Sequence, residues 1–172
     1  MNSFSRVATM LSFSLCVPMS GLVAQVQPAA CTGTPYRQFD FWMGDWEVTN
    51  AQGAVVGQNT ITKILKECVL HEHWRGSGGT SGQSHNIYDL QTEKWHQTWV
   101  SDNGQLLQLD GGLDDRGRMV LRGKTVGQDG GVVQNEIAWE RLPTGQVRQV
   151  WRTSSDAGAN WQVVFSGLYT EK

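Results

Sequence analysis

A basic excess is missing from this chain: 14 Lys and Arg stand against 16 Asp and Glu, for a formal net charge of −2. A dedicated nucleic-acid binder carries a basic face, so nucleic acid is set aside as a partner. Charge of either sign is scarce, at 17% of residues against about 25% in ordinary soluble domains. So apolar and aromatic a chain is not disordered. Long apolar runs are also lacking. The longest, Val7 to Val17, falls short of the roughly 20 residues a membrane helix needs. No segment holds an apolar period of 3.6 residues, which points away from helices. Internal repeats, low-complexity tracts and a Gly-x-Ser-x-Gly nucleophile elbow are missing too. The 172 residues suffice for one well-cored domain and are too few for two.

What the chain does have begins with an address. Arg6, the apolar stretch Val7 to Val17, the breakers Pro18, Ser20 and Gly21, and the small residue Ala24 read as a secretory signal peptide over residues 1–24. Cleavage after Ala30 is the alternative. The expected organisation is a leader over 1–24, an extension over 25–38 and a single domain over 39–172, in the periplasm or outside the cell. The mature chain would hold no membrane span. Removing the leader removes Cys16. The two remaining cysteines, Cys31 and Cys68, then form an even pair in an oxidising compartment and are expected to be bonded.

The rest alternates with period two, punctuated by Gly, Asn and Asp. Strands are predicted over 43–50, 54–66, 68–75, 82–89, 94–101, 105–111, 118–125, 131–140, 146–154 and 161–170. Their connections are too short for parallel crossovers, so the strands must meander antiparallel. Ten such strands close on themselves or leave adhesive edges. The expected fold is all-β, a closed up-and-down barrel. The alternation also assigns faces. Trp42, Trp46 and Val48 point inward, as do Leu70, Glu72 and Trp74; Trp95, Gln97 and Trp99; Val133, Asn135, Ile137 and Trp139; Val147, Gln149 and Trp151; and Trp161, Val163, Phe165 and Tyr169. All eight Trp are inward in this reading.

That inward face mixes indoles with amides, hydroxyls and one carboxylate. A filled core with a closed polar network would explain it, and so would a ligand cavity with a few convergent polar groups. In the cavity reading the ligand-binding residues are Trp46, Glu72, Trp74, Ser84, Asn86, Tyr88, Trp95, Gln97, Trp99, Trp139, Gln149 and Trp151. The ligand would be a small amphiphilic or aromatic molecule. An enzyme is the alternative: a cofactor-free isomerase, cyclase or lyase with Glu72 as acid–base, its pKa raised by desolvation, and Asn86 and Gln97 holding an oxyanion. His71 and His73 share a face and could meet His85 on the next strand, a spacing that suits zinc or copper. That face is the outer one here, and no metal or cofactor is expected. Ser154-x-Asp156-x-Gly158-x-x-Trp161 resembles the Asp-box of sialidase propellers but occurs once, so it reads as a structural turn.

Phe39-Asp40-Phe41-Trp42-Met43-Gly44-Asp45-Trp46 resembles the opening of an uncharacterised family of secreted bacterial proteins marked by Phe-Asp-Phe-Trp-x-Gly-x-Trp. The likeness continues through Cys68, Glu72 and Trp74, through Gly82, Ser84, Asn86 and Tyr88, and through Trp95-His96-Gln97-Thr98-Trp99-Val100 to Tyr169. In that family the last motif usually runs on to Asp, whereas here Ser101 precedes Asp102. Gly44-Asp45-Trp46 is similar to the lipocalin Gly-x-Trp signature. The resemblance implies a calycin-like barrel, with ligand binding by analogy. In lipocalins an Arg near the barrel's end packs over that Trp. Arg152 lies on the outward face of its strand.

Overall fold

A computed structural model describes residues 31–172. The leader assigned to residues 1–24 lies outside the described residues. Ten antiparallel strands follow one another: β1 (Gly44–Thr49), β2 (Val55–Ile64), β3 (Val69–Gly76), β4 (Ser81–Asp89), β5 (Lys94–Ser101), β6 (Leu106–Leu113), β7 (Met119–Val126), β8 (Val132–Arg141), β9 (Val147–Ser154) and β10 (Gln162–Glu171). Each pairs with its neighbour in sequence, and β1 pairs with β10, from Trp46 opposite Glu171 to Thr49 opposite Leu168. The barrel is closed, so no edge is left to aggregate.

The turns show why these residues reverse. At Asp114 to Arg118, the carbonyl of Asp114 accepts the N–H of Gly117, and the Asp114 carboxylate accepts the N–H groups of Arg116 and Arg118. Gly117 takes a φ of 75°, which a side chain would resist. Asn50 and Gly53 repeat the device. The turn between β2 and β3 differs. Leu65, Lys66 and Glu67 all hold positive φ, at 50°, 56° and 67°, a conformation that costs about 1–2 kcal/mol per residue. Cys68 closes this turn and is bonded to Cys31, with Cα atoms 5.1 Å apart. The pairing read from the cysteine count is therefore present.

The disulfide anchors an arm, residues 31–43, that enters one end of the barrel. The arm makes two short 3-10 turns, Thr34–Arg37 and Asp40–Trp42. Asp40 pairs with Lys63 of β2 at 2.6 Å. Phe39 and Trp42, both fully buried, stack at 4.9 Å between ring centroids. Phe39 meets Trp95 and Trp139 edge-on at 5.6 and 5.2 Å. Trp46 donates its indole N–H to the Trp42 carbonyl at 2.9 Å. This end is a solid aromatic plug.

Inward faces follow the alternation along β3, β4, β5, β8 and β9. Trp42 is buried as expected, from a 3-10 turn ahead of β1. One expectation fails. On β10, a bulge between Val163 and Phe165 breaks the period. Phe165 lies opposite the inward Trp151, but Val163 lies opposite the outward Arg152 and is exposed. Trp161 accordingly sits outside the barrel, under the Arg152 guanidinium at 4.8 Å. An inserted residue shifts a strand by one, and everything beyond it changes face. Trp161 does complete the turn expected of the Ser154 motif. Asp156 accepts the Asn160 N–H at 2.8 Å and the Ser154 hydroxyl at 2.7 Å, Gly158 has φ 93°, and these bonds hold the Asp156 carboxyl down to about 2.

Candidate functional site

The end opposite the plug is open. There the interior holds a cavity of about 270 Å³, just below the usual range of small-molecule sites, about 300–1,000 Å³. Trp74, Trp99, Trp151 and Phe165, all partly buried, form its wall, with Trp74 and Phe165 edge-to-face at 6.1 Å. Leu107 and Ile137 continue the wall inward, and Val164 from the β10 bulge reaches it. Glu72, Gln97, Gln149 and Tyr169 supply its polar groups.

Two glycines give the indoles their places. A Cβ on Gly57 would stand 2.5 Å from the Trp74 ring, and one on Gly82 would stand 2.3 Å from the Trp99 ring. Both distances are far inside contact, so any side chain there would displace an indole. Trp151 is held differently. It donates to Asn135 at 3.0 Å, and Asn135 donates to Thr125 at 3.0 Å.

The polar groups form a chain. Asn59 donates to one oxygen of Glu72 at 2.7 Å, and the Ser84 hydroxyl donates to the other at 2.5 Å. Asn86 donates to Ser84 Oγ at 2.9 Å and to the Leu70 carbonyl at 3.1 Å. Gln97 donates to Asn86 Oδ1 at 2.8 Å. On the other side, the Tyr169 hydroxyl donates to Gln149. Burial pushes the Glu72 carboxyl above its ordinary 4.5, and the bonds from Ser84 and Asn59 offset part of that rise. Burial, together with the negative charge of Glu72, lifts the Tyr169 phenol well above its ordinary value, so it stays a neutral donor.

Six of the twelve residues predicted to contact a ligand line the cavity: Glu72, Trp74, Gln97, Trp99, Gln149 and Trp151. The other six lie elsewhere. Trp46, Trp95 and Trp139 belong to the plugged end, and Tyr88 packs against Tyr36 and Trp95 there. Ser84 and Asn86 are buried behind the cavity, supporting Glu72 and Gln97. Asn86 therefore offers no amide to an oxyanion in the cavity. Sequence reasoning missed Asn59, although its alternation with Gly57 and Ile61 was available. It also left Leu107, Ile137, Val164, Phe165 and Tyr169 out of the site.

His71 and His85 do face each other across β3 and β4, with rings 5.2 Å apart, but on the outer wall. His71 bonds Gln83 at 2.9 Å, and His73 meets Arg75 at 3.2 Å. Among the described residues, no group of three His, Cys, Asp or Glu is placed to hold a metal ion. Arg152 bonds Glu136 at 2.7 Å and covers Trp161, so it does not pack over Trp46. No helix of the described residues is long and apolar enough to cross a membrane. No family model matches the chain, and no curated protein matches it either.

Proposed function

We propose that this chain is a secreted, lipocalin-like binding protein that takes a small aromatic or amphiphilic molecule into the open half of its barrel. The observation that carries the reading is the cavity itself. Four aromatic side chains surround a space of about 270 Å³ above a few polar groups, while the far end is packed solid. Apolar walls with few, convergent polar groups are the usual build of a small-molecule site. The disulfide fits an oxidising compartment, as the leader read over residues 1–24 requires. The likeness of Gly44-Asp45-Trp46 to the lipocalin signature agrees with the closed ten-strand barrel.

Acid–base catalysis at Glu72 is a second reading, favoured by a carboxyl with raised pKa at the cavity. It has less support. Both Glu72 oxygens already accept protein donors, and the amide of Asn86 is committed to Leu70 and Ser84.

The test is a titration of intrinsic Trp fluorescence with quinones, flavonoids, fatty acids and tetrapyrroles, joined to native mass spectrometry of protein taken from its own periplasm. One- and two-ring compounds should quench saturably, and tetrapyrroles should be too large. Failure of the whole panel to saturate, with no retained small molecule, overturns the reading in favour of a structural barrel.

A further inference from the structure

The cavity carries an acid and no base. Of the residues that line it, Glu72 is the only carboxyl, and no Lys, Arg or His is among them. The nearby basic side chains of β3 do not enter it: His71 and His73 lie on the outer face, bonded to Gln83 and Arg75. Each Glu72 oxygen takes one neutral donor, from Asn59 or Ser84. An ionised carboxylate offers about four lone-pair positions, so acceptor capacity is left over, and the side chain reaches the cavity. Around it stand Trp74, Trp99, Trp151 and Phe165, whose ring faces are the negative parts of their quadrupoles. A carboxyl below and electron-rich aromatic rings around it make one electrostatic demand.

We infer that the cavity selects cations, and that its ligand is a small hydrophobic amine whose ammonium meets Glu72 while its apolar body lies among the indoles. The inference rests on the binding reading proposed above and narrows its ligand class. Aromatic walls attract ammonium groups through their faces, most strongly where water is excluded. A charge-assisted hydrogen bond to the carboxylate adds both strength and direction. The same features reject anions. The carboxylate of a fatty acid would bring a second negative charge beside Glu72 with no counter-ion in the cavity. A neutral alcohol could donate one hydrogen bond and gain nothing from the charge.

The assignment also implies a pH dependence. The side chains facing Glu72 are Asn59 from β2, Ser84 from β4 and the neutral phenol of Tyr169 from β10, which feels the Glu72 charge. Only Tyr169 among them titrates, and it does so far above neutrality. His71, on the other face of β3, adds a favourable charge when protonated. Without a cation, burial favours the protonated acid. A bound ammonium favours the carboxylate, so acidification through the carboxyl range must weaken amine binding and leave alcohol binding little changed.

Three probes of one shape separate these demands: 1-naphthylmethylamine, 1-naphthalenemethanol and 1-naphthoate, each titrated by calorimetry into the wild-type protein and into Glu72→Gln. The amine should bind wild type at least about tenfold more tightly than the alcohol, and the naphthoate should not bind measurably. Glu72→Gln should erase the advantage of the amine over the alcohol. Naphthoate binding as tightly as the amine, or a folded Glu72→Gln that keeps the preference, overturns the cation assignment and leaves the cavity reading intact. If none of the three binds, the cation assignment falls, and the wider panel decides the cavity reading. Should the variant not fold, the ranking of probes and its pH dependence in wild type decide.

Discussion

Truncating Phe39 to Ala tests whether the N-terminal arm is an integral part of the barrel. Phe39 is fully buried and is held on three sides, stacked on Trp42 and edge-on to Trp95 and Trp139. Phe→Ala in a core costs about 3–5 kcal/mol, the transfer of the ring plus the cavity it leaves. Each aromatic pair adds about 0.5–1.5 kcal/mol beyond buried area, though that is already counted within a measured truncation. The neighbours here are rigid indoles on a closed barrel, so little collapse can fill the hole, and a loss of about 4–5 kcal/mol is expected. Against a total stability of about 5–15 kcal/mol this is large, a fall in melting temperature of roughly 10–20 °C for a domain of this size. Urea unfolding followed by Trp fluorescence and by near-ultraviolet circular dichroism is the assay, with an unchanged m-value confirming an unchanged transition. Because the plug and the cavity occupy opposite ends, probe binding should persist below the new melting point. A loss under about 1 kcal/mol would mean that the arm is not docked in the barrel, and the plug would have to be abandoned.

Reducing the disulfide, or changing both Cys31 and Cys68 to Ser, frees a loop of 37 residues. The chain-entropy cost is about 4 kcal/mol, read as a shift of the urea midpoint with and without reductant. Gly82→Ala should press its Cβ into the Trp99 ring; loss of probe binding in a protein that still folds is the expected result, and normal affinity would show that Trp99 does not need the glycine. Glu72→Gln should change the slope of stability against pH. The folded carboxyl titrates above its ordinary 4.5, so the native state binds more protons than the unfolded chain, and wild-type stability falls as pH rises from there toward the folded pKa. The variant should lack that decline. Parallel stability–pH curves for the two proteins would show that Glu72 is not desolvated.

Much of this protein is legible along the chain because a strand reports its two faces directly. Trp95, Gln97 and Trp99 alternate with His96, Thr98 and Val100, and a closed sheet leaves only one side for the indoles. The disulfide is legible by counting, since only Cys31 and Cys68 remain once the leader is set aside. The network around Glu72 is partly legible for the same reason, since Ser84, Asn86 and Gln97 share its inward parity. Period two, however, says nothing about depth along the barrel axis. Trp95 and Trp99 sit on one face of one strand, yet the first is sealed in the plug and the second lines the cavity. What separates them is the arm, which folds Phe39 and Trp42 into one end only. Nor does alternation foresee a bulge. One inserted residue near Val164 sent Trp161 and Val163 outward and brought Val164 to the cavity wall. Gly57 and Gly82 carry no side chain to signal their part, which depends on an indole lying across them. Local pattern sets which face a residue takes, because that depends on backbone geometry within the strand. Tertiary packing alone decides which inward residues touch one another and which border empty space.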